Sequence, residues 1–185
     1  HVARRIHANN PQLHVDIGSR LDGFCAMVAS FRKLEIFDIR KLNSRIPNIT
    51  FRQADFMADG VPYREYCDSI SCLHAIEHFG LGRYGDTVDA DGHIKGLNNI
   101  YTLLKPGGTF YFATPIGPQR VEFDAHRVFS LSYLLSLFRE RYTLLSFSYI
   151  NDANEYFENH TLSQKDIEDN LHCTYGCGIF ELRKS

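Results

Sequence analysis

The sequence predicts an α/β fold: a doubly wound sheet of about seven strands, mostly parallel, with an antiparallel strand at its C-terminal edge. Short apolar runs alternate along the chain with segments whose apolar residues recur at helical spacing, as in strands joined by crossover helices. The first apolar run ends in Gly18, a residue type that suits a tight strand-to-helix turn. The last two runs, 142–150 and 174–182, have no convincing helix between them, which favours an antiparallel edge.

The individual elements follow from apolar periodicity and from proline and glycine. Strands are predicted at 13–17, 34–38, 49–53, 66–73, 109–113, 142–150 and 174–182. Helices are predicted at 2–9, 22–31, 93–105 and 130–138, with a short helix near 163–170 and about two turns over 74–79. Asn9-Asn10-Pro11 ends the first helix and Lys105-Pro106-Gly107-Gly108 ends the helix before the fifth strand. The polar segment 54–62 is predicted to be a loop.

Composition predicts a single domain over residues 1–185 and argues against several classes of protein. The 44% hydrophobic and 23% charged residues are ordinary for a globular domain with a sizeable core. A formal net charge of −2 provides no basic field for a nucleic-acid partner. No apolar run approaches the roughly 20 residues that span a membrane. Five cysteines, mostly in apolar runs, favour reduced thiols and a cytoplasmic location. The chain begins at His1, so we expect a trimmed N-terminus; the sequence predicts no oligomeric state.

The stretch from Asp16 to Asp22 carries the first functional signal. Asp38 closes the second strand 20 residues after Gly18, close to the spacing at which a carboxylate accepts hydrogen bonds from ribose hydroxyls. A dinucleotide pyrophosphate needs two or three glycines in this turn, but Arg20 and Asp22 stand there, which argues against NAD. S-adenosylmethionine carries no phosphate and better tolerates the neighbouring aspartates. The alternatives are an ordinary strand-to-helix turn and, for Asp38, a helix N-cap.

Asp55 and Phe56 follow the third strand and form a second candidate contact. A carboxylate followed by an aromatic ring can bind an adenine amino group and cover the adenine ring. A turn aspartate followed by a core phenylalanine remains equally compatible with the sequence.

The sequence resembles the class I S-adenosylmethionine-dependent methyltransferases. The resemblance runs through Val15-Asp16-Ile17-Gly18-Ser19, Phe37-Asp38, Gln53-Ala54-Asp55, Ser71-Cys72-Leu73-His74-Ala75-Ile76-Glu77-His78 and Leu103-Leu104-Lys105-Pro106-Gly107-Gly108. Within that superfamily, residues 76–86 are similar to an uncharacterised methyltransferase-like family, a domain of unknown function first described in nematode proteins. The resemblance implies a Rossmann-like fold, S-adenosylmethionine as cofactor, and a small-molecule acceptor such as a glycan sugar or its precursor.

The resemblance also implies a set of cofactor-binding residues: Asp16, Gly18, Ser19, Arg20, Asp38, Ile39, Asp55, Phe56, Leu73 and His74. The family-wide Gly-x-Gly-x-Gly is replaced here by Gly18-Ser19-Arg20-Leu21-Asp22. This departure keeps open an alternative function, a catalytically silent Rossmann-type module that binds a nucleotide or a protein.

Candidate catalytic residues come from two segments. Residues 124–130, Asp-Ala-His-Arg-Val-Phe-Ser, resemble the active-site mouth of small-molecule methyltransferases, which implies His126 as the first candidate base. His78 is the second candidate base, and Glu77 and Asp86 are candidates for orienting the base. A histidine that only braces the following helix is the alternative for position 126. Arg120 and Arg127 are candidates for holding an anionic substrate.

One metal-site alternative also follows from the sequence. His74-Ala75-Ile76-Glu77-His78 has the spacing of an inverted zinc-peptidase motif, which requires a stable helix and a third protein ligand. Gly80 and Gly82 would end that helix at once, and we predict no metal.

Overall fold

The computed structural model describes residues 1–21, 23–42, 45–123 and 125–185. Its strands are β1 (His14–Ile17), β2 (Leu34–Asp38), β3 (Ile49–Gln53), β4 (Cys67–Leu73), β5 (Leu104–Ile116), β6 (Arg120–Val121), β7 (Arg127–Val128), β8 (Tyr142–Ile150), β9 (Tyr156–Phe157) and β10 (Gly176–Lys184). Its α-helices are α1 (Val2–Asn9), α2 (Gly23–Ala29), α3 (Gly92–Leu103), α4 (Leu131–Phe138) and α5 (Gln164–Asp169). Asp22 and Asp124, which the sequence places in a turn and in a catalytic segment, lie outside the described residues.

The described residues form an eight-stranded sheet in the order β3-β2-β1-β4-β5-β10-β8-β9. The strands from β3 to β5 pair in parallel, whereas β10 pairs antiparallel with both β5 and β8. The predicted Rossmann-like α/β class and the antiparallel C-terminal strand are therefore confirmed. β10 lies inside the sheet, because it pairs with β5 on one side and with β8 on the other, and its apolar residues Phe180 and Leu182 are buried. The two-residue antiparallel β9 forms the edge.

Two predicted elements differ from the structure. The predicted helix over 74–79 is wrong: a single 3₁₀ turn, Ile76–His78, is formed there. His74 (φ 54°) and Gly80 (φ 77°) both have left-handed backbone conformations, so a continuous α-helix cannot pass through them. The fifth strand is longer than predicted, since β5 continues from Leu104 through the Lys-Pro-Gly-Gly turn to Ile116.

The core lies on both faces of the sheet. One cluster contains Phe112, Phe138 and Phe180 with the inner faces of α3 and α4, and a smaller cluster packs α1 and α2 on Ile36 and Tyr111. Because the parallel strands are covered on both faces, their carboxyl ends meet at one edge, where open α/β sheets bind ligands.

Two further features of the described residues concern membrane-spanning helices and disulfide bonds. No helix in residues 1–21, 23–42, 45–123 and 125–185 is long and apolar enough to cross a membrane. Cys67, Cys72 and Cys173 are buried, and none of them forms a disulfide bond in the described structure.

Candidate functional site

A cavity of about 370 Å³ opens at the carboxyl ends of β1, β2 and β4. Its volume falls in the range of small-molecule sites, about 300 to 1,000 Å³. The structure brings to its wall every predicted cofactor residue except Asp16: Gly18, Ser19, Arg20, Asp38, Ile39, Asp55, Phe56, Leu73 and His74. Of the predicted catalytic residues, His78 lines this cavity, whereas Glu77 and His126 lie outside its lining.

Gly18 shapes the turn at the centre of the cavity wall. Its backbone is left-handed, with φ +77°, and its N–H donates to the Phe37 carbonyl at 2.8 Å, which continues the pairing of β1 with β2. A Cβ at this position would lie 2.7 Å from the Ala75 Cβ. Glycine is therefore required twice, by the backbone conformation and by the close approach of the segment after β4.

Asp16 lies beneath the turn and is fully buried. Ser71 Oγ donates to its Oδ1 at 2.5 Å, and the Ser19 N–H donates to its Oδ2 at 3.1 Å. Burial raises the pKa of the Asp16 carboxyl to about 6, against these hydrogen bonds, which lower it. Asp16 thus supports the turn from below, through the Ser19 backbone, rather than lining the cavity.

The Asp38 carboxylate at the end of β2 is held by Arg40. The Arg40 backbone N–H and Nε donate to Oδ1 at 2.7 and 2.9 Å, and Nη2 donates to Oδ2 at 2.5 Å. The helix N-cap alternative is not what forms, since the described part of residues 39–48 contains no helix. A polar ligand that reaches Asp38 must share this carboxylate with Arg40 or displace it.

The cavity's apolar wall is built by aromatic and thioether side chains. Phe56 packs edge-on against Phe37, with ring centroids 5.8 Å apart, and Met57 completes this side. Asp55 Oδ1 accepts from the Met57 N–H at 2.8 Å. The turn aspartate and the core phenylalanine of the alternative interpretation are both present, and both residues also line the cavity. Their contact with an adenine stays a prediction.

A glycine-rich loop, residues 80–86, covers the opposite side. Asp86 organises it by accepting from the backbone N–H groups of Gly80, Gly82 and Tyr84 at 2.8, 3.2 and 3.1 Å. The Tyr84 ring lies under the Arg40 guanidinium at 5.0 Å and edge-on to His78 at 5.3 Å. Arg40 and Tyr84 thus connect the loop after β2 to the glycine-rich loop across the cavity.

The two candidate bases, His78 and His126, lie next to each other, and only His78 lines the cavity. His78 Nδ1 donates to the Ala125 carbonyl at 2.8 Å, so in the neutral ring the lone pair is on Nε2. His126 packs behind it, with ring centroids 5.9 Å apart. Its Nε2 is buried and has no hydrogen-bond partner among the described residues. Burial, followed by the charge on His78, lowers the pKa of His126.

Glu77 pairs with neither of these histidines. The buried Glu77 Oε1 accepts from His74 Nδ1 at 3.1 Å, and Oε2 lies 3.5 Å from Thr114 Oγ1. On the far side of the same ring, His74 Nε2 lies 3.4 Å from Cys177 Sγ. Glu77 is therefore directed at His74 and does not orient either candidate base.

Arg127 and Arg120 are occupied by main-chain carbonyls. Arg127 is buried and donates to the carbonyls of Phe79 and Ala90 at 2.5 and 3.2 Å. Arg120 donates to the Thr174 carbonyl at 2.9 Å and pairs with Glu122. Both guanidinium groups hold loops in place instead of facing the cavity.

The α-helix that the inverted zinc-peptidase motif requires does not form. His74 lies two residues before the 3₁₀ turn Ile76–His78 and His78 is its last residue, so the two histidines do not share the face of an α-helix. Across the described residues, no group of three or more histidine, cysteine, aspartate or glutamate side chains could hold a metal ion.

Sequence reasoning missed several residues of this site. Arg40, two positions after Asp38, is the one a charge pattern could have indicated, because opposite charges so close in sequence often pair. Tyr84 lies in an irregular loop. Cys177 reaches the site only because β10 inserts next to β5, which no local pattern indicates.

Comparison with protein families gives one match. The family described as "Caenorhabditis protein of unknown function, DUF268" matches residues 25–177, most of the chain. Among curated protein sequences, no match is found.

Solved structures share the fold at low sequence identity. The 1,6-didemethyltoxoflavin-N1-methyltransferase of Burkholderia thailandensis, solved with 1,6-didemethyltoxoflavin and S-adenosylhomocysteine, superposes with a TM-score of 0.66 at 16% identity, covering 99% of this chain and 76% of its own. The N-methyltransferase NodS of Bradyrhizobium japonicum WM9, in complex with S-adenosylhomocysteine, has a TM-score of 0.62 at 12% identity, covering 99% and 84%. The [4+2]-cyclase SpnF has a TM-score of 0.64 at 14% identity, covering 92% and 74%. At these identities the likeness shows the fold alone.

Proposed function

We propose that this chain, which belongs to the family described as "Caenorhabditis protein of unknown function, DUF268", transfers the methyl group of S-adenosylmethionine to a small-molecule acceptor. The observation that carries the proposal is the convergence of Gly18, Asp38 and Asp55 on one cavity at the carboxyl edge of the sheet. Two structures with the same fold are methyltransferases in complex with S-adenosylhomocysteine, which supports the choice of cofactor.

The residues present fit this cofactor. Asp38 supplies a carboxylate for ribose hydroxyls. Phe37, Phe56 and Met57 supply an apolar wall for an adenine ring, with Asp55 at its edge for the exocyclic amine. Arg20 places a positive charge in the turn wall for the carboxylate of the amino-acid moiety. Ser19, Ile39, Leu73 and His74 complete the enclosure.

When bound, S-adenosylmethionine supplies an electrophilic methyl group on its sulfonium. The chain's own residues then have to align the acceptor and, for a hydroxyl, remove its proton. We propose that His78 Nε2 accepts the proton of the acceptor hydroxyl, because His78 lines the cavity and its Nδ1–H already donates to the Ala125 carbonyl. His126 holds the His78 ring from behind through the 5.9 Å ring contact.

We propose a hydroxyl of a sugar, in a glycan or its precursor, as the acceptor. This choice rests on the resemblance of residues 76–86 to a methyltransferase-like family. The cavity offers the His78 imidazole as base next to Tyr84 and the Asp86 carboxylate, polar partners suited to a polyhydroxy molecule.

Equilibrium binding tests the proposal. Calorimetric titration with S-adenosylmethionine and with S-adenosylhomocysteine is expected to show one site per chain, and Asp38→Ala is expected to weaken binding by about tenfold or more, the cost of one charge-assisted hydrogen-bond partner. Glu35→Gln is the matched control: Glu35 is on the same strand and pairs with Arg52 at 2.8 Å, but does not line the cavity. Absence of heat with both ligands on folded protein contradicts the proposal.

A second candidate function is a catalytically silent module that binds a nucleotide or a protein. The Arg40 contacts to both Asp38 oxygens favour it, because they occupy the carboxylate proposed for the ribose. Binding of S-adenosylhomocysteine with unchanged affinity in Asp38→Ala, and no methyl transfer to any sugar, would support this module over the enzyme.

A further inference from the structure

Glu77, His74 and Cys177 form a connected row at the carboxyl edge of the sheet, in which only His74 also lines the proposed cofactor cavity. Glu77 Oε1 accepts from His74 Nδ1 at 3.1 Å, and His74 Nε2 lies 3.4 Å from Cys177 Sγ. The row joins three separate elements: the residue after β4, the 3₁₀ turn, and the start of β10. A thiol, an imidazole and a carboxylate in this order form the arrangement in which an imidazole takes the thiol proton while a carboxylate orients it.

We propose that Cys177 is a nucleophilic thiolate, activated by His74 and positioned through Glu77, that forms a covalent bond with a soft electrophilic carbon approaching the half-buried sulfur beside His74. This role goes beyond the proposed methyl transfer and does not depend on it.

The backbone conformation of His74 is fixed by the sheet and places its ring in the row. His74 has a left-handed conformation, φ 54°, which is uncommon for a residue with a side chain. Its N–H donates to the Ala113 carbonyl of β5 at 2.9 Å, so the sheet imposes this conformation. The imidazole is thereby held between Glu77 and Cys177 rather than free to choose rotamers in solvent.

Burial and charge agree with this geometry. Glu77 is 2% exposed, whereas the His74 side chain is 50% exposed, and Cys177 is half-buried. Hydrogen bonds to Cys177 and to Glu77 raise the pKa of His74 to about 10, against the effect of burial, so the ring keeps a proton at neutral pH. A neighbouring imidazolium stabilises a thiolate.

Tyr175 interacts electrostatically with Glu77, Cys177, Glu122 and Arg120. Cys72 and His126 interact with Glu77 at the other end of the row. Arg120 Nε and Glu122 Oε1 pair with each other at 2.6 Å, so their charges largely cancel at the thiol. His74 is therefore the principal positive partner of the Cys177 sulfur.

The bond changes balance without a further reactant. A lone pair of Cys177 Sγ forms the new bond to the electrophilic carbon, and the bond from that carbon to its leaving group breaks with the electron pair. The thiol proton is already on His74 Nε2 and stays there.

Alkylation kinetics with iodoacetamide test the assignment. In native protein, Cys177 is expected to be alkylated at pH 6.5 about fivefold faster than in His74→Asn, since the His74 ring beside the sulfur stabilises the attacking thiolate. At pH 9.5 the two rates are expected to converge, because thiols in general ionise in alkaline solution without help from a neighbouring imidazole. Asparagine is chosen because it tolerates the left-handed backbone, and Glu77→Gln is expected to change the pH profile in the same direction.

Cys173 is the control within the chain. It is buried, burial raises its pKa, and its Sγ faces the Leu171 carbonyl, so it is expected to react only after denaturation. Chymotrypsin cleaves after Tyr175 and separates the two cysteines for mass spectrometry. Absence of Cys177 alkylation in native protein, a wild-type to His74→Asn ratio that is the same at both pH values, or profiles unchanged in both variants would each overturn the proposal.

Discussion

Replacing Gly18 by alanine tests the geometry of the central turn. An L-residue in the left-handed conformation costs about 1–2 kcal/mol, and this cost applies at φ +77° whatever the surroundings. At Gly18 the added Cβ also meets the Ala75 Cβ at 2.7 Å, and overpacking of this kind costs about 1–3 kcal/mol more. We expect Gly18→Ala to lower the free energy of unfolding by about 2–5 kcal/mol in total.

Gly107→Ala is the matched control, because Gly107 has nearly the same backbone, φ +74°, with nothing within 4 Å of its Cβ position. Urea unfolding followed by circular dichroism gives both free energies of unfolding. The difference between the two variants isolates the contact with Ala75 and is expected to be about 1–3 kcal/mol. Equal losses in the two variants would refute the close approach of the segment after β4 to the turn.

Three more predictions follow from buried groups and the candidate base. Between pH 4 and pH 7, the free energy of unfolding of Asp16→Asn, measured by urea titration, should rise by about 2 kcal/mol relative to that of wild type. The pKa of the Asp16 carboxyl in the folded protein, about 6, lies above its value in the unfolded chain. Wild type therefore loses stability as the pH rises through this window. A difference in free energy of unfolding between the two proteins that does not change with pH would contradict the raised pKa of Asp16. Lys184→Met should cost about 1–3 kcal/mol, because Nζ donates to the Tyr101 and Leu104 carbonyls at 2.8 and 2.7 Å; Lys105→Met is its control, and equal losses in the same unfolding assay would refute these bonds. With an acceptor that supports turnover, His78→Gln should lower kcat by about 10²-fold or more and His126→Gln by less; the reverse order would return the role of base to His126.

The fold was predictable because its signals are local. Apolar runs locate the strands of the parallel half, and the Lys-Pro-Gly-Gly turn marks the end of α3 at Leu103. The predicted helix over 74–79 failed because apolar spacing does not report backbone conformation, and the left-handed His74 interrupts it. The position of β10 inside the sheet depends on pairing with β5, a contact between residues far apart in sequence.

In the candidate site, too, some residues are predictable from local sequence signals and others depend on tertiary packing. Gly18 follows β1, Asp38 ends β2 and Asp55 lies two residues after β3, so their convergence at one edge follows from the parallel topology. The pairing of His74 with Glu77 and Cys177, and the bridge from Arg40 to Tyr84, depend on side-chain directions that only tertiary packing determines. The choice between His78 and His126 likewise needed the position of the hairpin formed by β6 and β7.

The most direct test is a crystal structure of the chain soaked with S-adenosylhomocysteine. We predict one ligand in the cavity, its ribose hydroxyls within hydrogen-bond distance of the Asp38 carboxylate and the Arg40 guanidinium shifted away from it, because the ribose and Arg40 compete for the same two oxygens. A ligand bound elsewhere, or an Asp38–Arg40 pair left intact with the ribose making no contact to Asp38, would contradict the proposed cofactor site.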